Sequence, residues 1–172
     1  MNSAFLLLPL FLIRYGLLAL VNKSALARAA HFPPMEKAER LWYWVYQLAT
    51  LAMLVYMFFL RVKTEGAVFW VGLAAYAAGI LLLIASTVHF AKPGTGGVCQ
   101  SGLYRFSRNP MYVAYFVYFC GCALQAQSIL LFVLICVFQL AAHPVIRAEE
   151  KWCIGQFGED YIQYMKKVRR YL

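Results

Sequence analysis

Two polar clusters in an otherwise apolar chain carry the side chains able to do chemistry. The first runs Gly102-Leu103-Tyr104-Arg105-Phe106-Ser107-Arg108-Asn109-Pro110-Met111-Tyr112, and the second is Arg147-Ala148-Glu149-Glu150. Asn109-Pro110 reads as a helix start, because proline's fixed φ suits the first helical residue and the asparagine side chain can accept an otherwise unpaired backbone N–H. With Arg105 and Arg108 beside it, such a helix end favours a carboxylate or phosphate. Glu149 and Glu150 are neighbours, so on a helix they point about 100° apart. One can hold a cationic ligand group while the other pairs with Arg147 or Lys151; a solvated face with weak surface ion pairs is the alternative. An arginine pole facing a glutamate pole suits a zwitterion such as S-adenosylmethionine, whose sulfonium the faces of Tyr104, Tyr112 or Tyr115 could stabilise. An NADPH pocket would also use the basic residues.

The elements that position these clusters belong in a membrane. Of 172 residues, 63% are hydrophobic and 13% charged, and the mean hydropathy is +0.65; a soluble domain carries about a quarter charged residues. The chain is expected to be one membrane domain over residues 1–172. Its net charge of +9 sits between apolar segments and forms no continuous stripe, which argues for membrane topology and against nucleic acid. Among the five cysteines, Cys120, Cys122 and Cys136 lie in apolar runs and read as reduced packing residues. No cysteine or histidine spacing suits a metal.

Residues 4–21 form an apolar span broken by Arg14, expected to snorkel to a headgroup or face the bundle. Ala25-Leu26-Ala27 mimics a cleavage site without the basic leader a signal peptide needs. After a basic loop with Pro33-Pro34, Leu41–Leu60 is a second span, opening on Trp42, Tyr43, Trp44 and Tyr46, which read as an interfacial belt, with cofactor stacking as the alternative. Ala67–Val88 is a third; Gly72, Ala75 and Gly79 on it let a neighbouring backbone approach, as a central helix would. Pro93–Gly97 reads as a flexible loop, a possible lid. From Met111 to Ile146 the chain is apolar except for Gln125-Ala126-Gln127-Ser128, so it reads as a hairpin of helices near 110–124 and 129–146. The first falls short of the ~17–25 residues that cross a bilayer, so it is expected to tilt, to sit partly in protein, or to start from a polar pocket sunk beneath the membrane surface. The tail from Arg147 is expected to be a bent amphipathic segment on the membrane face, weakened at Gly155 and Gly158. The fold class is therefore all-α and polytopic, with about five transmembrane helices, a C-terminal helical hairpin and an amphipathic tail.

With the N-terminus outside, the 22–40 loop, the 89–110 loop and the tail hold 4, 3 and 6 basic residues against 2 in the outer loops. The positive-inside rule then places both polar clusters on the cytoplasmic face.

Gly102-Leu103-Tyr104 with Arg108-Asn109-Pro110-Met111-Tyr112, followed by Arg147-x-Glu149-Glu150, Phe157-Gly158-x-x-Tyr161-x-x-Tyr164 and Val168-x-Arg170, resembles the signature of the isoprenylcysteine carboxyl methyltransferase and phospholipid methyltransferase superfamily. The resemblance covers residues 89–172. It implies a membrane methyltransferase with three N-terminal transmembrane helices in 1–88 and the cofactor-binding, catalytic half in 89–172. By position it implies that Gly102, Leu103, Tyr104, Asn109, Pro110, Met111, Tyr112, Glu149, Glu150 and Tyr161 bind S-adenosylmethionine, with Arg108 in the same segment. Asn-Pro-Met-Tyr occurs in the phospholipid branch, whereas the isoprenylcysteine branch usually has Arg-His-Pro; a glycine frequent in the family is Ala114 here. The implied acceptor is a lipophilic small molecule or prenylated substrate drawn from among membrane lipids. Arg108 or Arg147 would hold a carboxylate acceptor, and Glu149 or Glu150 would take the proton of an amine. An NADPH-dependent membrane reductase like the sterol reductases, or a membrane scaffold without turnover, are the competing readings.

Overall fold

A computed structural model describes residues 1–22, 33, 35–92 and 97–171. The Ala25-Leu26-Ala27 segment, Pro34 and most of the Pro93–Gly97 loop lie outside them. The described residues form helices α1 (Ser3–Val21), α2 (Lys37–Met57), α3 (Gly66–Ala91), α4 (Pro110–Ala126), α5 (Ile129–Phe157) and α6 (Glu159–Lys167), with a 3-10 turn at Gly102–Arg105 ahead of α4. The all-α membrane architecture is as expected. Helices α1, α3 and α5, of 19, 26 and 29 residues, are long and apolar enough to cross a membrane. The other two of the expected five are less clear-cut: the first turn of α2 carries Lys37, Glu39 and Arg40, and α4 has only 17 residues.

Backbone contacts sort the helix ends into two groups. At one end, the Ser3 N–H donates to Leu60 O at 3.0 Å, the Val62 N–H to Met1 O at 3.0 Å, and the Lys63 N–H to Gln125 O at 2.9 Å. The N-terminus, the α2–α3 turn and the α4–α5 turn therefore meet, as alternating helices require. That last turn reverses through Gln127, at φ 48°, and Ser128 then caps α5 by accepting the Leu131 N–H. At the opposite end Asn22 bonds to Ala91 O, and both polar clusters gather there.

The small residues of α3 act as expected. A β-carbon on Gly79 would lie 2.5 Å from Tyr118 Cα, and one on Gly121 would lie 2.4 Å from the Tyr76 nitrogen, so α3 and α4 meet backbone to backbone. The phenols released by that approach both donate to Leu6 O in α1, Tyr76 at 2.9 Å and Tyr118 beside it. A single carbonyl thus ties α1 to the central pair. Gly79→Ala should cost about 1–3 kcal/mol through overpacking, since backbone and not a flexible side chain must yield; a melting curve in detergent checks it.

The tail departs from expectation in one respect. Helix α5 runs unbroken through Gly155 to Phe157, eleven residues past Ile146, and turns only at Gly158, where φ is +55°. A glycine inside a helix costs about 1 kcal/mol and is tolerated, whereas the positive φ is what ends this one. Beyond that bend the tail is amphipathic as expected: Tyr161 and Tyr164 of α6 are buried with Val98 while Glu159, Asp160, Lys166 and Lys167 are exposed, and residues 168–171 fold back as an extended strap.

Candidate active site

The strap is held by the start of α4. The Arg108 N–H donates to Arg169 O at 2.9 Å, while Ser107 Oγ and Asn109 Nδ2 donate to Arg170 O at 3.3 and 3.2 Å. Asn109 therefore does not cap α4 with its side chain as expected; its amide is turned away as a donor to the strap, and only its carbonyl receives the Tyr112 N–H. Pro110 does occupy the first helical position.

At the centre of this junction is Glu150, whose side chain is 5% exposed. Oε1 accepts from Arg108 Nε at 3.0 Å with Nη2 at 2.9 Å, and Oε2 accepts from Arg170 Nε at 3.0 Å and Nη2 at 2.8 Å. Arg108 also donates through Nη1 to Met165 O and Val168 O. The bond to Glu150 holds the Arg170 guanidinium further above its ordinary range. The anion drawn to the α4 start is thus Glu150 itself, and Arg108 is committed to it.

Glu149 points elsewhere, as neighbours on a helix must. It is half-buried and accepts the Tyr112 hydroxyl at 3.0 Å on Oε1. The Tyr112 ring lies 6.4 Å from Tyr115 and 6.4 Å from Tyr46, which in turn packs 5.0 Å from Phe138. Tyr46 was read with the interfacial belt, and the structure corrects that: Trp42 and Trp44 face outward, but Tyr46 turns into the bundle. Arg14 approaches from α1, with Nη1 3.5 Å from Met111 Sδ. The bundle-facing alternative is the one realised for this side chain. Arg14 stands seven residues before Val21, about 10 Å along the axis at 1.5 Å per residue. The start of α4 therefore lies beside the middle of α1, and α4, at 17 residues against the 15 of 110–124, reaches the lower bound for crossing a bilayer.

The remaining sequence-predicted residues take distinct places. Tyr104 is buried, and its carbonyl accepts the Tyr164 hydroxyl at 2.7 Å. Tyr161 is buried against Tyr164. Burial raises the phenols of Tyr104, Tyr161 and Tyr164 above the ordinary tyrosine range, so they remain neutral donors. Leu103 O receives the Phe106 and Ser107 N–H groups and shapes the turn. Gly102 has φ +56°, and a β-carbon there would lie 2.1 Å from His89 Nε2, so the imidazole occupies the room a side chain would need. Met111 is buried beneath Arg14. Arg147 is exposed and does not join the others: it shares a flank with Lys151, which pairs with Glu39 of α2 at 2.7 Å.

Sequence reasoning left Tyr46 and Arg14 out of the site. The signal for Arg14 was available, a charge at mid-span, but nothing in the order of residues says which way it faces. For Tyr46 no signal separated it from its interfacial neighbours.

The residues present suit a cation-bearing ligand. A half-buried carboxylate bonded to one phenol, whose ring lies beside two more tyrosine rings, can attract positive charge that ring faces stabilise. Among the described residues no group of metal-ligating side chains gathers. No curated protein and no solved structure matches the chain significantly. A family description does match: phospholipid methyltransferase, over residues 67–160, more than half of the chain. That segment begins in α3 and ends in α6, so it holds the 3-10 turn, the α4 start, Tyr112 and both glutamates. The chain is an integral membrane protein that belongs to the phospholipid methyltransferase family.

Proposed function

We propose that this membrane methyltransferase uses S-adenosylmethionine to methylate a lipid-like acceptor at an amine or carboxylate, with the Glu149–Tyr112 pair at the centre of the site. The observation that carries the reading is the half-buried Glu149 carboxylate bonded to Tyr112, whose ring lies beside Tyr46 and Tyr115, which supports binding of a cationic methyl donor. S-adenosylmethionine supplies a sulfonium methyl that passes to the acceptor's lone pair as the carbon–sulfur bond breaks, leaving a neutral thioether. Glu149 draws in the positive charge, Tyr112 fixes the carboxylate, and the rings exclude water and orient the reacting groups. Glu150, Arg108 and Arg170 hold the floor of the site. A lipophilic acceptor enters sideways between helices from the bilayer. The basic-residue count supports a cytoplasmic position for this end.

The test is a melting experiment in detergent with S-adenosylhomocysteine and NADPH in parallel. A ligand at 100 times its dissociation constant stabilises the folded state by about 2.7 kcal/mol. A shift with S-adenosylhomocysteine alone is expected; a shift with NADPH alone would mean a reductase. Radiolabelled methyl transfer into phospholipids and prenylcysteines then names the acceptor.

A further inference from the structure

Where the 3-10 turn meets the strap, cations and an aromatic ring face outward together. Ser107 bridges to Arg169 as parallel extended chain, the Arg108 N–H donates to Arg169 O at 2.9 Å, and Arg108 Nη1 donates to Met165 O at 3.1 Å. The turn and the end of α6 thereby form one surface. Its inner cations, Arg108 and Arg170, are turned in to Glu150. Arg105, Lys166, Lys167 and Arg169 are exposed, and Phe106 among them is 72% exposed. The acids of α6, Glu159 and Asp160, lie in its first turn, about 10 Å from Lys166 along the axis at 1.5 Å per residue. The negative end of the α6 dipole accounts for Lys166 and Lys167. It does not account for Arg169 in the strap, for Arg105 in the turn or for an apolar ring held in the open. The surface also stands at a particular depth. The Lys63 N–H bonds to Gln125 O at the far end of α4, and the 17 residues of α4 carry the chain back by about 25 Å. That approaches the ~30 Å of a bilayer's apolar core, so the turn ahead of Pro110 lies near the headgroup layer.

We propose that Arg105, Phe106, Lys166, Lys167 and Arg169 form a docking surface for anionic phospholipid headgroups of the surrounding leaflet. Four cations attract the phosphodiester and any further negative charge of such a headgroup, while Phe106 enters the interface as an aromatic anchor. A headgroup held there clamps the 3-10 turn against the strap, the two segments that bring Arg108 and Arg170 to Glu150. The docking is independent of which methyl donor or acceptor the chain uses.

The test uses the full chain in detergent, titrated with dioleoyl phosphatidylglycerol or dioleoyl phosphatidylcholine and read by native mass spectrometry. Wild type should retain the anionic lipid more tightly, and the preference should shrink as salt rises. The triple variant Lys166→Gln/Lys167→Gln/Arg169→Gln should weaken retention of phosphatidylglycerol about fivefold per cation removed and leave phosphatidylcholine unchanged. Phe106→Ser should weaken both lipids alike. Arg61→Gln/Lys63→Gln, which removes exposed cations at the opposite end, should leave the preference as it is. In nanodiscs, phosphatidylglycerol should slow amide exchange over residues 103–107 and 165–171 in wild type and not in the triple variant. Equal retention of phosphatidylglycerol by wild type and the triple variant overturns the proposal. So does an equal loss in the opposite-end control, which would mean that net charge alone attracts the lipid. Release of the lipid by inorganic phosphate beyond that by sodium chloride at equal ionic strength also overturns it, in favour of a soluble anion. Should the triple variant fail to fold, Arg105→Gln/Lys166→Gln carries the comparison, and unchanged phosphatidylglycerol retention in it overturns the proposal.

Discussion

Glu150→Ala should loosen the whole site end of the protein before it affects any chemistry. Its carboxylate is the shared partner of Arg108 and Arg170, and the Arg108 side chain is only 7% exposed. Removing one member of a buried ion pair leaves the other charge uncompensated and typically costs about 3–5 kcal/mol. The loss would propagate along a defined path. Arg170 is the residue whose carbonyl receives Ser107 and Asn109, and the next residue, Tyr171, places its hydroxyl 2.9 Å from His143 Nδ1 of α5. A lower melting temperature and faster amide exchange over residues 104–109 and 165–171 are the expected results. Glu150→Gln should fall between the two, because it keeps acceptor capacity on one atom but not the charge. The resemblance to known methyltransferases places Glu150 among the cofactor residues. An unchanged melt with selective loss of the S-adenosylhomocysteine shift would favour that role over the structural one.

What the sequence disclosed and what it withheld divide along a physical line. Local chemistry was legible: Pro110 at the first helical position and the reversal at Gln125–Ser128. So was the packing of α3, because Gly72 and Gly79 at helical spacing are useful only where another backbone approaches. The end of α5 was half-legible. Gly155 and Gly158 look alike in a sequence, yet only the second adopts a positive φ. Partners far along the chain were not legible. Glu149 and Glu150 are indistinguishable by type, and their assignment depends on Arg170, 20 residues later, and on Tyr112, 37 residues earlier. Asn109 was read by its local role as a cap, and the strap carbonyl 61 residues away redirected its amide. Arg14 shows the same limit, since a mid-span charge announces a cost without naming the neighbour that offsets it.

Glu149→Gln should do the reverse of Glu150→Ala, sharply slowing transfer while leaving the fold intact. The substitution preserves volume and shape, and the amide oxygen can still accept the Tyr112 hydroxyl, which donates to Oε1 in the native site. Only the negative charge is lost, so the melt should move by less than about 1 kcal/mol, within the range of substitutions that leave packing and hydrogen bonding in place. Methyl transfer should fall by about 10²–10³, the scale seen when one electrostatic element of an active site is removed. The S-adenosylhomocysteine response should shrink less than the rate, because that product analogue lacks the sulfonium charge that Glu149 attracts. Tyr112→Phe provides the complementary variant: the charge stays but its orienting donor goes, so a smaller loss, with the carboxylate free to turn, is expected. Parallel measurements of transfer rate, melting and S-adenosylhomocysteine shift on these two variants separate charge from orientation. Near-normal transfer by Glu149→Gln would remove Glu149 from the centre of the site and return attention to Glu150.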